Sequence, residues 1–126
     1  NDPVHGAASA DGLRRALREG SLVASDVVWA ETRAAFPDDA SFEHAMRTLG
    51  VGYSAVGQTA ASRAGTCWRA YRKAGGSRQR VMADFLIGAH ALEQSDRLLT
   101  RDRGYYRAHF KGLRLLSAGE AAQGTD

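Results

Sequence analysis

Glu31, Asp84 and Asp102 are the residues of this sequence best placed to do chemistry, because each interrupts an apolar pattern. Asp102 follows the run Leu98–Leu99–Thr100 in LLTRDRGYY, between Arg101 and Arg103. Asp84 lies in RVMADFLIGAHAL, where at about 100° per residue its helical neighbours are apolar in almost every direction. Val81, Phe85, Leu86, Ala89 and Leu92 form the broad face there, Asp84 sits at its margin, and Gly88 one turn on is expected to leave open space beside the carboxylate. Glu31, in SDVVWAETRAAF, shares a helical stripe with Val27 and Ala35. A buried, unpaired carboxylate must meet a cation, bind a metal or take up a proton. Three carboxylates gathered together repel one another unless a cation joins them. Oxygen-only ligands suit Mg2+ or Mn2+, and a cation so held activates water and stabilises the leaving oxygen in phosphodiester cleavage. A plainer reading stands beside each. Asp102 could be salt-bridged to its flanking arginines. Asp84 could be a first-turn aspartate favoured by the helix dipole. Glu31 could be an exposed residue at the edge of its stripe, paired with Arg33 or Arg14.

The elements that must carry these residues follow from periodicity and end signals. A helix is expected over 7–20, with Leu13 and Leu17 one turn apart and Gly20 as its C-cap. A short strand follows over 21–25. The next helix, 25–36, begins on a Ser/Asp capping signal and is stopped by Pro37. A third helix, 38–50, again ends in glycine. Segment 51–57 reads as a strand or extended link, 58–76 as a long helix and 80–95 as a helix that is apolar nearly all round. Then come a strand over 97–100, a short helix over 104–110 and a last strand over 113–116. Short strands alternating with helices imply an α/β fold with a parallel sheet covered by helices. In such sheets ligands sit beyond the C-terminal ends of the strands, which is where Asp102 falls.

Bulk properties set the limits. The chain has 126 residues, enough for one domain and short for two. At 44% apolar and 25% charged it has the composition of an ordinary globular protein. No apolar run approaches the length of a membrane span, and no leader-like segment opens the sequence. Cys67 is the single cysteine, which excludes an internal disulfide and a cysteine-based zinc site. The histidines, His5, His44, His90 and His109, show no ligand spacing. The expected location is the cytoplasm. The net charge of +3 is carried mainly by arginine, which pairs bidentately with phosphate and stacks on bases. Arg69, Arg72 and Lys73 lie along one side of the long helix, followed by Arg78 and Arg80. Asp96 reads as a turn or salt-bridge residue, Asp26 as a helix cap, and the aromatics of YYRAHF as part of a small core rather than a base-stacking platform. The glycine-containing segments lack the Lys-Ser/Thr of a phosphate loop.

Taken in order, WAE, MADFLIGAHAL and LLTRDRGYY resemble the PIN-domain ribonucleases, specifically the VapC-type toxins of bacterial toxin–antitoxin modules. The resemblance runs from the helix at 7–20 to the strand at 113–116. It implies a three-layer α/β/α sandwich with a short, mainly parallel central sheet, occupying residues 1–117 as one domain, with 118–126 a loose tail. It implies that Glu31, Asp84 and Asp102 hold Mg2+ or Mn2+ and serve in catalysis. Thr100 would match the family's small hydroxyl residue near the site, and Arg101 and Arg103 would lie toward RNA. It implies RNA as substrate, a VapB-like antitoxin as partner and a homodimer. The family's first strand ends in an aspartate that is a principal metal ligand, whereas NDPVHG resembles the loop beyond that strand and its helix. An N-terminal strand ahead of Asn1 is therefore expected in the natural protein. Two other functions share these residues: a catalytically silent PIN-like module that binds RNA or a protein, and a metal-dependent DNA nuclease.

Overall fold

A computed structural model describes residues 14, 15, 18, 20–78, 80–100 and 103–117. Arg14, Arg15 and Arg18 have helical backbone, in keeping with the helix expected over 7–20. The remainder of that segment and the tail at 118–126 lie outside the described residues.

The order of elements is β1 (Val23–Ser25), α1 (Asp26–Ala34), α2 (Asp39–Leu49), β2 (Gly52–Ser54), α3 (Gln58–Lys73), α4 (Met82–Gln94), β3 (Leu98–Thr100), α5 (Arg103–His109) and β4 (Leu115–Ser117). Local chemistry sets most of the boundaries. Ser25 is the N-cap of α1, its hydroxyl accepting from the Val28 amide at 3.2 Å. Asp38 caps α2 by accepting from the Ser41 amide at 2.7 Å, which holds its carboxyl below the ordinary range. Gly50 ends α2 at φ 68°, a left-handed conformation that only glycine adopts cheaply. Phe42 and Met46, one turn apart on α2, are buried, and Trp29 of α1 meets both Phe42 and Tyr53 edge-to-face at 5.3 Å.

The strands form two separate parallel pairs. β1 pairs with β2 in the register Val23↔Gly52 to Ser25↔Ser54. β3 pairs with β4 in the register Leu98↔Leu115 to Thr100↔Ser117. The architecture is thus a small mixed α/β one with short parallel strands. The single covered sheet of the sequence reading is divided in two among the described residues. Each pair is joined by helical crossovers, as parallel neighbours require.

The core lies where α3, α4 and α5 meet. Ala60 and Ala64 of α3 and Ala89 of α4 are buried, and such small side chains let the two helices approach closely. Phe85 has no exposed surface. Around it stand Trp68, Tyr71, Tyr105 and Phe110, with ring centroids 5.3–6.1 Å away. The aromatics of YYRAHF do close the core: Tyr105, Tyr106 and Phe110 are all buried. Two expectations for α4 are revised. Val81 caps the helix and is 53% exposed, so it stands outside the buried face. The space beside Gly88 is not open, because a methyl group there would lie closer than 3.0 Å to three atoms of the Phe110 ring.

Gly88→Ala is expected to destabilise the fold. Helix propensity returns about 1 kcal/mol, but overpacking a buried ring costs about 1–3 kcal/mol. Urea denaturation checks this, and an unchanged or raised midpoint would mean that the Phe110 ring gives way freely.

Candidate functional site

The three carboxylates sit on elements of different kinds. Asp84 occupies the third position of α4, where one carboxylate oxygen accepts from the Val81 amide at 2.9 Å. The Asp84 amide in turn donates to the Val81 carbonyl at 3.0 Å. This is the first-turn role, favoured by the helix dipole, that the sequence also allowed. The side chain is half-buried.

Glu31 lies in the middle of α1 and is exposed. It makes no ion pair with Arg33, which instead meets the Asp39 carboxylate at 2.6 Å and the Phe36 carbonyl at 3.0 Å. Asp102 and Arg101 lie outside the described residues, and Arg103 begins α5. Thr100 ends β3, half-buried, at the C-terminal edge where the sequence placed it. α1 and β3 both pack on α4, so the elements bearing Glu31, Asp84 and the approach to Asp102 are neighbours. Among the described residues no three histidine, cysteine, aspartate or glutamate side chains gather as a metal site. The donors themselves, carboxylate oxygens with one of the Asp84 pair bound to the Val81 amide, suit a hard divalent cation better than zinc.

Several polar groups bind the frame together in ways the sequence reading missed. Asp26 is not the cap of α1. Its Oδ1 accepts from the Val27 amide at 3.1 Å and from the Val56 amide at 3.2 Å, tying the start of α1 to the exit of β2. Buried His90 of α4 is hydrogen-bonded through Nε2 to the Ser54 hydroxyl of β2 at 3.0 Å. Gln94 accepts from the Gly57 amide at 2.7 Å and donates to the Ala55 carbonyl at 2.9 Å. Arg63 of α3 is paired with Glu93. Asp96, as expected, meets a cation near the surface, Arg114 at 3.9 Å.

Next to Asp84 lies a less comfortable group. Tyr105 is 7% exposed, and its buried hydroxyl has no hydrogen-bond partner among the described residues. The Arg80 guanidinium sits over its ring, 4.0 Å from the centroid, in cation–π range. Burial pushes the Tyr105 hydroxyl well above its ordinary pKa of 10.0, Tyr106 and Asp84 add to the effect, and Arg80 opposes it. No sequence pattern marks such an orphan, because it depends on where the ring tip ends after packing.

No family model matches the chain, and no curated protein matches it.

Tyr105→Phe is expected to stabilise the protein by about 1–3 kcal/mol, since it removes a buried unsatisfied hydroxyl and keeps the ring. Because the folded pKa is raised, the neutral phenol's contribution is complete below pH 10.0 and is lost as the unfolded chain alone ionises above it. The variant should therefore lose less stability in alkali. Chemical denaturation at neutral and alkaline pH reads both, and a lower neutral midpoint would show that the hydroxyl has a partner.

Proposed function

We propose that the protein is a metal-dependent endoribonuclease of the VapC type, hydrolysing RNA phosphodiester bonds with water. The observation that carries this reading is the packing of α1 and β3 on α4. It makes neighbours of the three elements that bear Glu31, Asp84 and, two residues beyond Thr100, Asp102. The ordered motifs WAE, MADFLIGAHAL and LLTRDRGYY support it by their resemblance to the PIN-domain ribonucleases. The finer fold of this reading is the three-layer α/β/α sandwich with a short, mainly parallel central sheet.

In this mechanism Glu31, Asp84 and Asp102 would hold Mg2+ or Mn2+. Held by these carboxylates, such a cation would supply Lewis acidity: it would lower the pKa of a bound water and offset charge on the leaving oxygen. The chain's own contributions are positional. The Val81 amide fixes one oxygen of Asp84 and so aims the other. Phe85, wholly buried beside it, keeps the first turn of α4 from shifting. Thr100 stands at the strand end, and Arg101 and Arg103 lie on either side of Asp102 to meet phosphate oxygens. No covalent enzyme intermediate is required. The same reading takes a VapB-like antitoxin as partner, a homodimer as assembly and the cytoplasm as location. Among the described residues no helix is long and apolar enough to cross a membrane.

Asp84→Asn keeps a hydrogen-bond acceptor for the Val81 amide and removes the charge, so it separates helix capping from metal binding. Both Asp84→Asn and Asp102→Asn are expected to abolish cleavage of single-stranded RNA in Mg2+ or Mn2+ with the fold intact by circular dichroism, and EDTA should do the same to the wild type. Glu31→Gln should cause a large loss. Cleavage undiminished in the two aspartate variants would sink the metal-site assignment. A folded natural protein that binds RNA and never cleaves it is the silent module, and preference for single-stranded DNA would make it a DNA nuclease.

A further inference from the structure

Between Glu43 and Asp84 the chain carries seven arginines and lysines and no carboxylate. The other ten cations share the rest of the sequence with all fourteen carboxylates, so the positive charge is concentrated in one stretch. Within it, Arg47 faces Glu43 at 4.0 Å, Arg63 pairs with Glu93, and Arg80 covers the Tyr105 ring. Arg69, Lys73 and Arg78 are exposed and have no carboxylate partner among the described residues. Arg72 is exposed as well, its guanidinium 5.7 Å from the centre of the Trp68 ring.

Position concentrates these charges further. On α3, Arg69, Arg72 and Lys73 fall within an arc of about 100°, opposite the face that buries Ala60 and Ala64. The turn after α3 is held against that helix, because the Tyr71 hydroxyl donates to the Ser77 carbonyl at 2.6 Å and Gly76 lies flat on the Tyr71 ring. Arg78 is therefore anchored close to the helix end. The Tyr71 and Trp68 rings both pack on Phe85, with centroids 5.3 Å apart, and Phe85 is the next residue after Asp84. The basic end of α3 and the carboxylate at the start of α4 thus share one end of the helix pair. Relief of the helix dipole accounts for cations in the last turn, Arg72 and Lys73. It does not account for Arg69 or Arg78.

We propose that Arg69, Arg72, Lys73 and Arg78 form a binding face for the sugar–phosphate backbone of single-stranded RNA, leading the strand to Asp84; this rests on the nuclease reading. The chemistry is sequence-independent. Unpaired guanidinium and ammonium groups displace counterions from phosphates, and Arg72, lying over the Trp68 ring, offers a flat cation on which a base can stack.

The test compares two triple variants with equal loss of charge. Arg69→Gln/Lys73→Gln/Arg78→Gln removes the face and leaves Arg72 on Trp68. Arg47→Gln/Lys111→Gln/Arg114→Gln removes three exposed cations elsewhere. Binding of a fluorescein-labelled single-stranded RNA is measured by anisotropy in EDTA across a range of salt, and cleavage is scored in Mg2+. The first triple should weaken binding strongly and make the slope of log K against log salt shallower by about 2, as the loss of three phosphate contacts requires. The second should leave both nearly unchanged. Equal effects of the two triples, or no RNA binding by the wild type, overturn the face. So does binding of poly-glutamate without binding of RNA, which would assign it to an acidic protein. Loss of binding confined to the first triple, with no cleavage by any protein, upholds the face and removes the nuclease reading. Cleavage by wild type and both triples alike does the reverse.

Discussion

Phe85 is wholly enclosed, and the rings that enclose it come from α3, from α5 and from the turn after α5. Trp68 and Tyr71 approach from α3, Tyr105 and Phe110 from α5 and the turn after it. Removing a buried phenylalanine of this kind typically costs about 3–5 kcal/mol, a large share of the stability of a small domain. The constraint is directional as well as energetic. A ring held on several sides fixes the rotation of α4 about its axis, and with it the bearing of Asp84 one residue earlier. The small residues Ala60, Ala64, Gly88 and Ala89 are the other half of the same constraint. They let the helices and the Phe110 ring close in.

The elements were legible in the sequence because their signals are local. Ser25 before α1, Asp38 before α2 and Gly50 after it are each recognisable from one residue type and its neighbours, and each does what its type allows. The apolar character of α4 and the aromatic content of α5 likewise marked the core. What was not legible depends on partners distant in the chain. That β1 would pair only with β2, and β3 only with β4, among the described residues is a matter of tertiary placement which periodicity does not encode. The Gly88 position shows the same limit at atomic scale: a glycine beside a carboxylate reads as space, and the ring that fills the space is some twenty residues away.

At the candidate site the divide is similar. Asp84 was read correctly as an acidic residue at the margin of an apolar helix, and its first-turn geometry was one of the two roles the sequence allowed. Its neighbours were not foreseen. The Tyr105 hydroxyl without a partner among the described residues, the guanidinium of Arg80 over that ring and the His90–Ser54 link between α4 and β2 arise from contacts between elements. Asp26 is a further case. Its type and position suit a helix cap, yet the neighbouring serine takes that role and the aspartate reaches across to Val56.

The Gln94 side chain has a consequence for how the molecule opens. It satisfies both the Gly57 amide and the Ala55 carbonyl. The segment from β2 into α3 is therefore latched to the last turn of α4, and Arg63 with Glu93 closes the same seam beside it. Release of the Gln94 side chain frees the Gly57 amide, so its hydrogen exchange reports on the end of α4 as well as on its own loop. The end of one helix thus governs the local opening of the start of another.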